Sequence, residues 1–166
     1  RGLGLGIAEA LAAEGANVLL CGRSADRLEA NCAKINAAGK GKADYVLADL
    51  SQPDVVATLL AAVNEKLGGI DILINNTGGP TPGTSEDMSV EKLETYFQSM
   101  VLRIISLTNA VLPQMKAQGW GRIVTVASSS VVEPVPMLAL SNTLRSALVG
   151  WSKTLSNEVA GYGVTS

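Results

Sequence analysis

Four short stretches of this 166-residue chain bring together residue types able to hold a phosphorylated ligand. The first is Arg1-Gly2-Leu3-Gly4, a glycine-rich turn running into a helix. Bare glycine Cα atoms let a backbone approach a pyrophosphate, and a helix N-terminus favours its negative charge. A purely structural glycine turn fits the same residues. The second is Gly22-Arg23-Ser24, after a short apolar run. An acidic side chain there would accept from a ribose 2′-hydroxyl, whereas a guanidinium suits a 2′-phosphate. Arg23, with Arg1, therefore points to NADP(H) over NAD(H); the plain alternative is a solvated surface arginine. The third is Asp49, whose carboxylate either accepts from an adenine amine or caps the helix that follows. The fourth is Asn75-Asn76-Thr77-Gly78-Gly79, a polar turn suited to holding a nucleotide along a sheet edge.

Other chemistries are excluded by composition. There is no histidine, so imidazole bases and histidine-containing metal sites are absent from this sequence. Two cysteines, Cys21 and Cys32, are too few for a zinc cluster or a disulfide framework. They read as buried structural thiols and favour the reducing cytoplasm. No metal site is expected. With 13 basic and 15 acidic residues the chain lacks the basic excess of a nucleic-acid module. No run approaches the roughly 18 apolar residues of a membrane span. A small-molecule substrate is the partner that remains.

The elements that must position these residues alternate along the chain. A helix over 7–14 stops at Gly15, and 17–21 is a continuous apolar run of the kind found in buried parallel strands. Ser24 caps a helix through 38. A strand over 45–48 lands on Asp49, and Ser51 with Asp54 resembles a capping-box start for a helix to 67. A strand over 70–74 leads into the Asn75 turn and a loop rich in Gly, Pro and Thr. One long helix is expected over 89–118, a strand over 122–127, a helix over 138–160 and the start of another strand at 163–165. The long helix carries more apolar positions than one stripe needs, so a second face is buried against a neighbouring helix or another subunit. Strand and helix in strict alternation, without hairpin signals, predict a doubly wound parallel sheet in a three-layer α/β/α arrangement. In such a fold ligands bind beyond the carboxyl ends of the strands, where all four stretches fall.

Together these residues resemble the short-chain dehydrogenase/reductase family along the whole chain, most closely its 3-oxoacyl-acyl-carrier-protein reductase type, which uses NADPH. Gly2 and Gly4 are similar to the last two glycines of the family's Thr-Gly-x-x-x-Gly-x-Gly turn. Asn75-Asn76-Thr77-Gly78 matches its Asn-Asn-Ala-Gly, and Asp49 its aspartate after the third strand. The resemblance implies a Rossmann-like fold and a catalytic Asn, Ser and Tyr-x-x-x-Lys. Ser128 matches the serine, but Ser141 stands where the tyrosine is usual, Arg145 in place of the lysine and Met100 at the asparagine.

In the family the tyrosine protonates the carbonyl oxygen, the lysine lowers its pKa and holds the nicotinamide ribose, and the serine polarises the carbonyl. Ser141 is a poorer acid than a phenol, and Arg145 keeps its charge but does not exchange protons near neutral pH. Spaced i and i+4, the two share one helix face, which suits a pocket and equally suits an ordinary polar surface. The expectation is an NADP(H)-dependent oxidoreductase acting on a carbonyl or alcohol, a 3-oxoacyl thioester among the candidates. Its modified catalytic set would be Ser128, Ser141 and Arg145. The alternative is a catalytically impaired, nucleotide-binding structural or regulatory homologue. By the same resemblance the protein forms a homodimer or homotetramer through the 89–118 and 138–160 helices. The resemblance also makes residues 1–166 one dinucleotide-binding domain that is part of a longer protein. In the family a first central strand precedes Arg1 and further strands follow Ser166. A sheet without its middle strand would leave buried backbone groups unpaired, at about 1–3 kcal/mol each.

Overall fold

The computed structural model describes residues 2–166; Arg1, one of the expected cofactor ligands, lies outside them. Every strand pairing is parallel, and the sheets are flanked by helices in the Rossmann-like manner expected. The strands form two sheets, and the chain divides into two compact units, Arg1–Gly69 and Ile70–Ser166.

In the first unit, α1 (Gly2–Ala13), β1 (Val18–Gly22), α2 (Ala25–Ala37), β2 (Ala43–Leu47) and α3 (Val55–Leu67) follow in order. β1 pairs with β2 in the register Val18↔Ala43 to Gly22↔Leu47. The glycine turn expected ahead of the first helix is itself that helix's opening turn. Glycine disfavours helix by about 1 kcal/mol per residue, but Leu5, Ala8 and Ala12 pack onto a core with Cys32, Ile35 and Ala43, and burial outweighs propensity. α2 buries Leu28, Cys32 and Ile35 at spacings of four and three, one stripe of a helix. Ser24 sits at its N-cap in an extended conformation, without a side-chain cap bond. α3 starts three residues later than expected, capped at Asp54 and not at Ser51. The Asp49 carboxylate accepts the Ser51 N–H and the Asp49 carbonyl accepts from Gln52, so 49–52 closes a turn instead of a first helical turn. Gly41 cannot be replaced cheaply: its N–H donates to the Ala12 carbonyl at 2.9 Å, and a Cβ would run into the Ala16 carbonyl. Cys32 is buried as expected, whereas Cys21 is exposed.

The second unit contains β3 (Ile72–Asn75), α4 (Val90–Phe97), α5 (Arg103–Ala117), β4 (Gly121–Thr125), α6 (Ala139–Val159) and the short β5 (Val164–Thr165). The sheet order is β3-β4-β5, with Ile72 opposite Arg122 and Gly121 opposite Val164. Ser89 caps α4, its hydroxyl accepting from the Lys92 N–H at 3.2 Å. The long helix expected over 89–118 is broken by a π turn, Gln98–Leu102. The extra residue of a π turn rephases the helix, so Met100, Val101 and Ile104 all face inward. They meet Leu140, Leu144 and Leu148, one stripe of α6, and this is the second buried face that the apolar excess required. Burying each of these side chains contributes about 1.5–3 kcal/mol. Within each unit the two outer strands, β1 and β2 in the first and β3 and β5 in the second, each have one edge without a strand partner among the described residues.

Candidate active site

In the first unit the expected ligand-binding residues gather at the carboxyl ends of β1 and β2. The Ala48 N–H donates to the Gly22 carbonyl at 2.9 Å and continues the pairing up to Asp49. Arg23 is 79% exposed, and its Nη1 lies 3.9 Å from the Asp49 carboxylate, a loose surface pair that contributes little to stability. Hydrogen bonds from Ser51 hold the Asp49 carboxyl below its ordinary range. Of the two roles open to Asp49, capping α3 is excluded, because its carboxylate closes the 49–52 turn and Asp54 takes the N-cap. Gly2 and Gly4 lie in the opening turn of α1. A Cβ at Gly2 would meet nothing within 4 Å, so the chain's own packing leaves that surface bare.

The second unit sorts its own residues differently from the sequence reading. Asn75 is 4% exposed. Its Nδ2 donates to Thr108 Oγ1 at 3.2 Å and to Thr125 Oγ1 at 3.3 Å. The expected cofactor ligand is thus an internal brace joining β3, β4 and α5; its carboxamide faces inward because two hydroxyls on neighbouring elements offer acceptors there. Asn76 and Gly78 remain at the surface, and no protein atom would meet a Cβ at Gly78 or Gly79 within 4 Å. Between them the Thr77 hydroxyl is buried without a partner among the described residues. An orphaned hydroxyl beside two unpacked glycines fits a surface completed by a ligand. In the first unit, taken by itself, the exposed guanidinium of Arg23 and the bare face at Gly2 fit a phosphorylated ligand.

Ser128 follows the end of β4 and caps a 3-10 turn, Ser129–Val131. Its Oγ accepts from the Ser130 N–H at 3.1 Å and from the Ser130 hydroxyl at 2.9 Å. Ser130 is 2% exposed and escaped the sequence reading; the run of three serines, 128–130, was the available signal. With both lone pairs of its oxygen engaged, Ser128 can only donate to a further partner.

On α6, Leu140 and Leu144 point into the core while Ser141 and Arg145 are half-buried on another face. Arg145 Nη1 donates to the Val126 carbonyl at 2.7 Å, which brings the guanidinium to the end of β4, two residues before Ser128. Burial pushes its pKa below the ordinary guanidinium value. Ser141 makes no side-chain hydrogen bond to Ser128 or Arg145 among the described residues. Met100, at the position of the family asparagine, is 2% exposed and belongs to the core.

The segment joining Ser128 to α6 is fastened at its far end. Gly83 donates its N–H to the Met137 carbonyl at 2.6 Å, Ala139 donates to the Gly83 carbonyl, and Asn142 Nδ2 donates to the Val135 carbonyl at 3.1 Å. Met137 has φ of 64°, a left-handed conformation that costs a side chain about 1–3 kcal/mol and persists only where surroundings impose it. The same segment exposes Val132, Val135 and Met137. Among the described residues no group of His, Cys, Asp and Glu could hold a metal, and no helix is long and apolar enough to cross a membrane.

Known proteins are similar to this chain in sequence and fold. The ketoacyl reductase HetN of Nostoc is 34% identical over 164 residues, covering 99% of this chain and 57% of that protein. A D-beta-hydroxybutyrate dehydrogenase of Rhizobium meliloti is 32% identical, covering 99% of this chain and 64% of its own length. The crystal structure of L-sorbose reductase from Gluconobacter frateurii, complexed with NADPH and L-sorbose, superposes with a TM-score of 0.92. It has 32% identity and covers 98% of this chain and 62% of that one. The chain spans less than two thirds of the length of each. The profile of the short chain dehydrogenase family matches residues 1–166, and the chain belongs to that family.

Proposed function

We propose that the protein is an NADP(H)-dependent oxidoreductase interconverting a carbonyl and an alcohol, with Ser128 and Arg145 as its principal polar groups and Ser141 beside them. In the first unit Gly2, Gly4, Arg23 and Asp49 would serve the adenosine and phosphate end of the coenzyme. In the second, Asn76 and Gly78 would line it, with Asn75 bracing the turn from within. When bound, the nicotinamide supplies or takes the hydride.

The observation that carries this reading is the Arg145–Val126 hydrogen bond, since it holds a cation at the strand end that bears Ser128. Ser128, its oxygen saturated by two donors from Ser130, directs its proton to the carbonyl oxygen. Arg145 stabilises the alkoxide that develops there; one such donor is typically worth about 10²–10³ in rate. Neither Ser141 nor Arg145 yields a proton readily at neutral pH, so water protonates the alkoxide. The lost general acid would cost about 10²–10⁴-fold, and turnover is slow. Similarity to a ketoacyl reductase supports 3-oxoacyl thioesters as substrates to be tried. The two free thiols suit a reducing cytoplasm, and the exposed Val90 and Phe97 on α4 suit assembly into a homodimer or homotetramer through the 89–118 and 138–160 helices.

Fluorescence titration of the full-length protein with NADPH and NADH tests the coenzyme, followed by oxidation assays with 3-oxoacyl thioesters and small ketones. NADPH should bind more tightly than NADH, and Arg23→Asp should abolish that difference. Binding without turnover would favour the nucleotide-binding structural or regulatory homologue. Binding of neither coenzyme would sink the proposal.

A further inference from the structure

The sheet of the first unit has a second concave end, away from Arg23 and Asp49. At the amino ends of β1 and β2 a cavity of about 670 Å³ opens, a size ordinary for a small-molecule site. Its polar lining is Lys40, Lys42, Asp44 and Lys66, with Asn17 and Asn36. Gly41 and Ala43 are buried while Lys40, Lys42 and Asp44 are exposed, the alternation of an extended chain that presents them on one side. The backbone beneath them is pinned. Gly41 N–H donates to the Ala12 carbonyl at 2.9 Å, and Lys42 N–H donates to Asn17 Oδ1 at 3.2 Å. Val18 N–H donates to the Lys42 carbonyl at 2.7 Å, and the Asn36 carboxamide holds both backbone groups of Ala43. A ligand therefore need not pay to order this loop.

Charge decides what fits there. Asp44 is the one acid in the lining, and it accepts from Lys66 Nζ at 2.9 Å. Lys40 and Lys42 then add two positive charges to the cavity, in a chain whose net charge is -2. Residues two apart on an extended chain stand about 7 Å from each other at Cα. Their flexible stems can converge on neighbouring phosphoryl groups, for which a lysine ammonium is a suitable point charge.

We propose that this cavity binds a compact polyvalent anion, a small molecule bearing a pyrophosphate, on Lys40 and Lys42. The site lies at the opposite end of the strands from the coenzyme residues and is independent of them.

The test is equilibrium dialysis of the full-length protein against inorganic pyrophosphate, with and without saturating NADPH. One equivalent should bind in the presence of NADPH, and affinity should fall as NaCl is raised, because exposed charges are screened. Lys40→Ala combined with Lys42→Ala should weaken pyrophosphate about threefold or more, the scale of two exposed charge pairs, and leave NADPH affinity unchanged. Lys40→Arg combined with Lys42→Arg should retain binding, and Asp44→Asn should tighten it by removing the opposing charge. Both lysines are exposed, and a thermal melt verifies that each variant is folded. The proposal is overturned if no pyrophosphate binds, or if NADPH displaces it, since the anion would then occupy the coenzyme's own phosphate site. It is equally overturned if the double alanine variant binds pyrophosphate as tightly as the parent.

Discussion

Restoring the family's catalytic residues should not mean restoring all of them. Met100 stands where the family pattern has asparagine, yet it is 2% exposed and packs with Val101, Ile104, Leu140, Leu144 and Leu148. Met100→Asn would forfeit the burial of a methionine side chain, about 1.5–3 kcal/mol. It would also bury an amide without partners, at about 1–3 kcal/mol on mutational scales. Together these give a loss of about 2.5–6 kcal/mol, a large part of the roughly 5–15 kcal/mol typical of a folded domain. Urea unfolding of the full-length protein measures this, with Met100→Leu as the volume-conserving control expected to cost less than about 1.5 kcal/mol. The activity assay follows from the same packing. Ser141→Tyr with Arg145→Lys should raise carbonyl reduction by about 10²-fold or more, the contribution of a general acid, and adding Met100→Asn should give no further gain. The reasoning fails if Met100→Asn costs less than about 1 kcal/mol, or if the triple variant clearly outperforms the double. Either result would mean that the π turn offers the asparagine partners and an outlet toward the site.

Two further outcomes follow from hydrogen bonds elsewhere in the chain. Ser130→Ala removes the buried hydroxyl that saturates Ser128; kcat should fall by about three- to tenfold, the worth of one neutral hydrogen bond, with KM unchanged and Ser130→Thr recovering part of the loss. An equal rise in KM would assign Ser130 to packing instead. The Lys66 ammonium bonds the Asp44 carboxylate at 2.9 Å and, with the Tyr45 N–H, holds that carboxyl below its ordinary 3.8. A depressed carboxyl stabilises the fold above its unfolded-state pKa, and this stabilisation is lost as pH falls through the folded value. Asp44→Asn should therefore flatten the decline of the thermal midpoint below about pH 4, and an unchanged acid limb would show that the pair contributes nothing.

Much of the architecture is local and so could be read along the chain. β1 and β3 announce themselves as unbroken apolar runs, and α2 by its stripe of Leu28, Cys32 and Ile35. Gly68 and Gly119 mark helix ends because both sit in the left-handed conformation that side chains resist. The family turn residues and the substitutions at 141 and 145 are likewise visible as spacing.

What the sequence could not assign were the directions in which side chains point, because distant elements decide them. Asn75 turns inward only because Thr108 and Thr125, 33 and 50 residues away, present hydroxyls to it. The π turn that buries Met100 becomes favourable once α6 supplies Leu140, Leu144 and Leu148 to pack against. Met137 accepts its strained backbone because Gly83 bridges to it across more than fifty residues. Arg145 could be any solvated helix residue until the Val126 carbonyl draws its guanidinium to the end of β4. Residue types and their periods fix which groups are available. Packing and hydrogen bonds between remote segments decide which of those groups are consumed by the fold and which are left for a ligand.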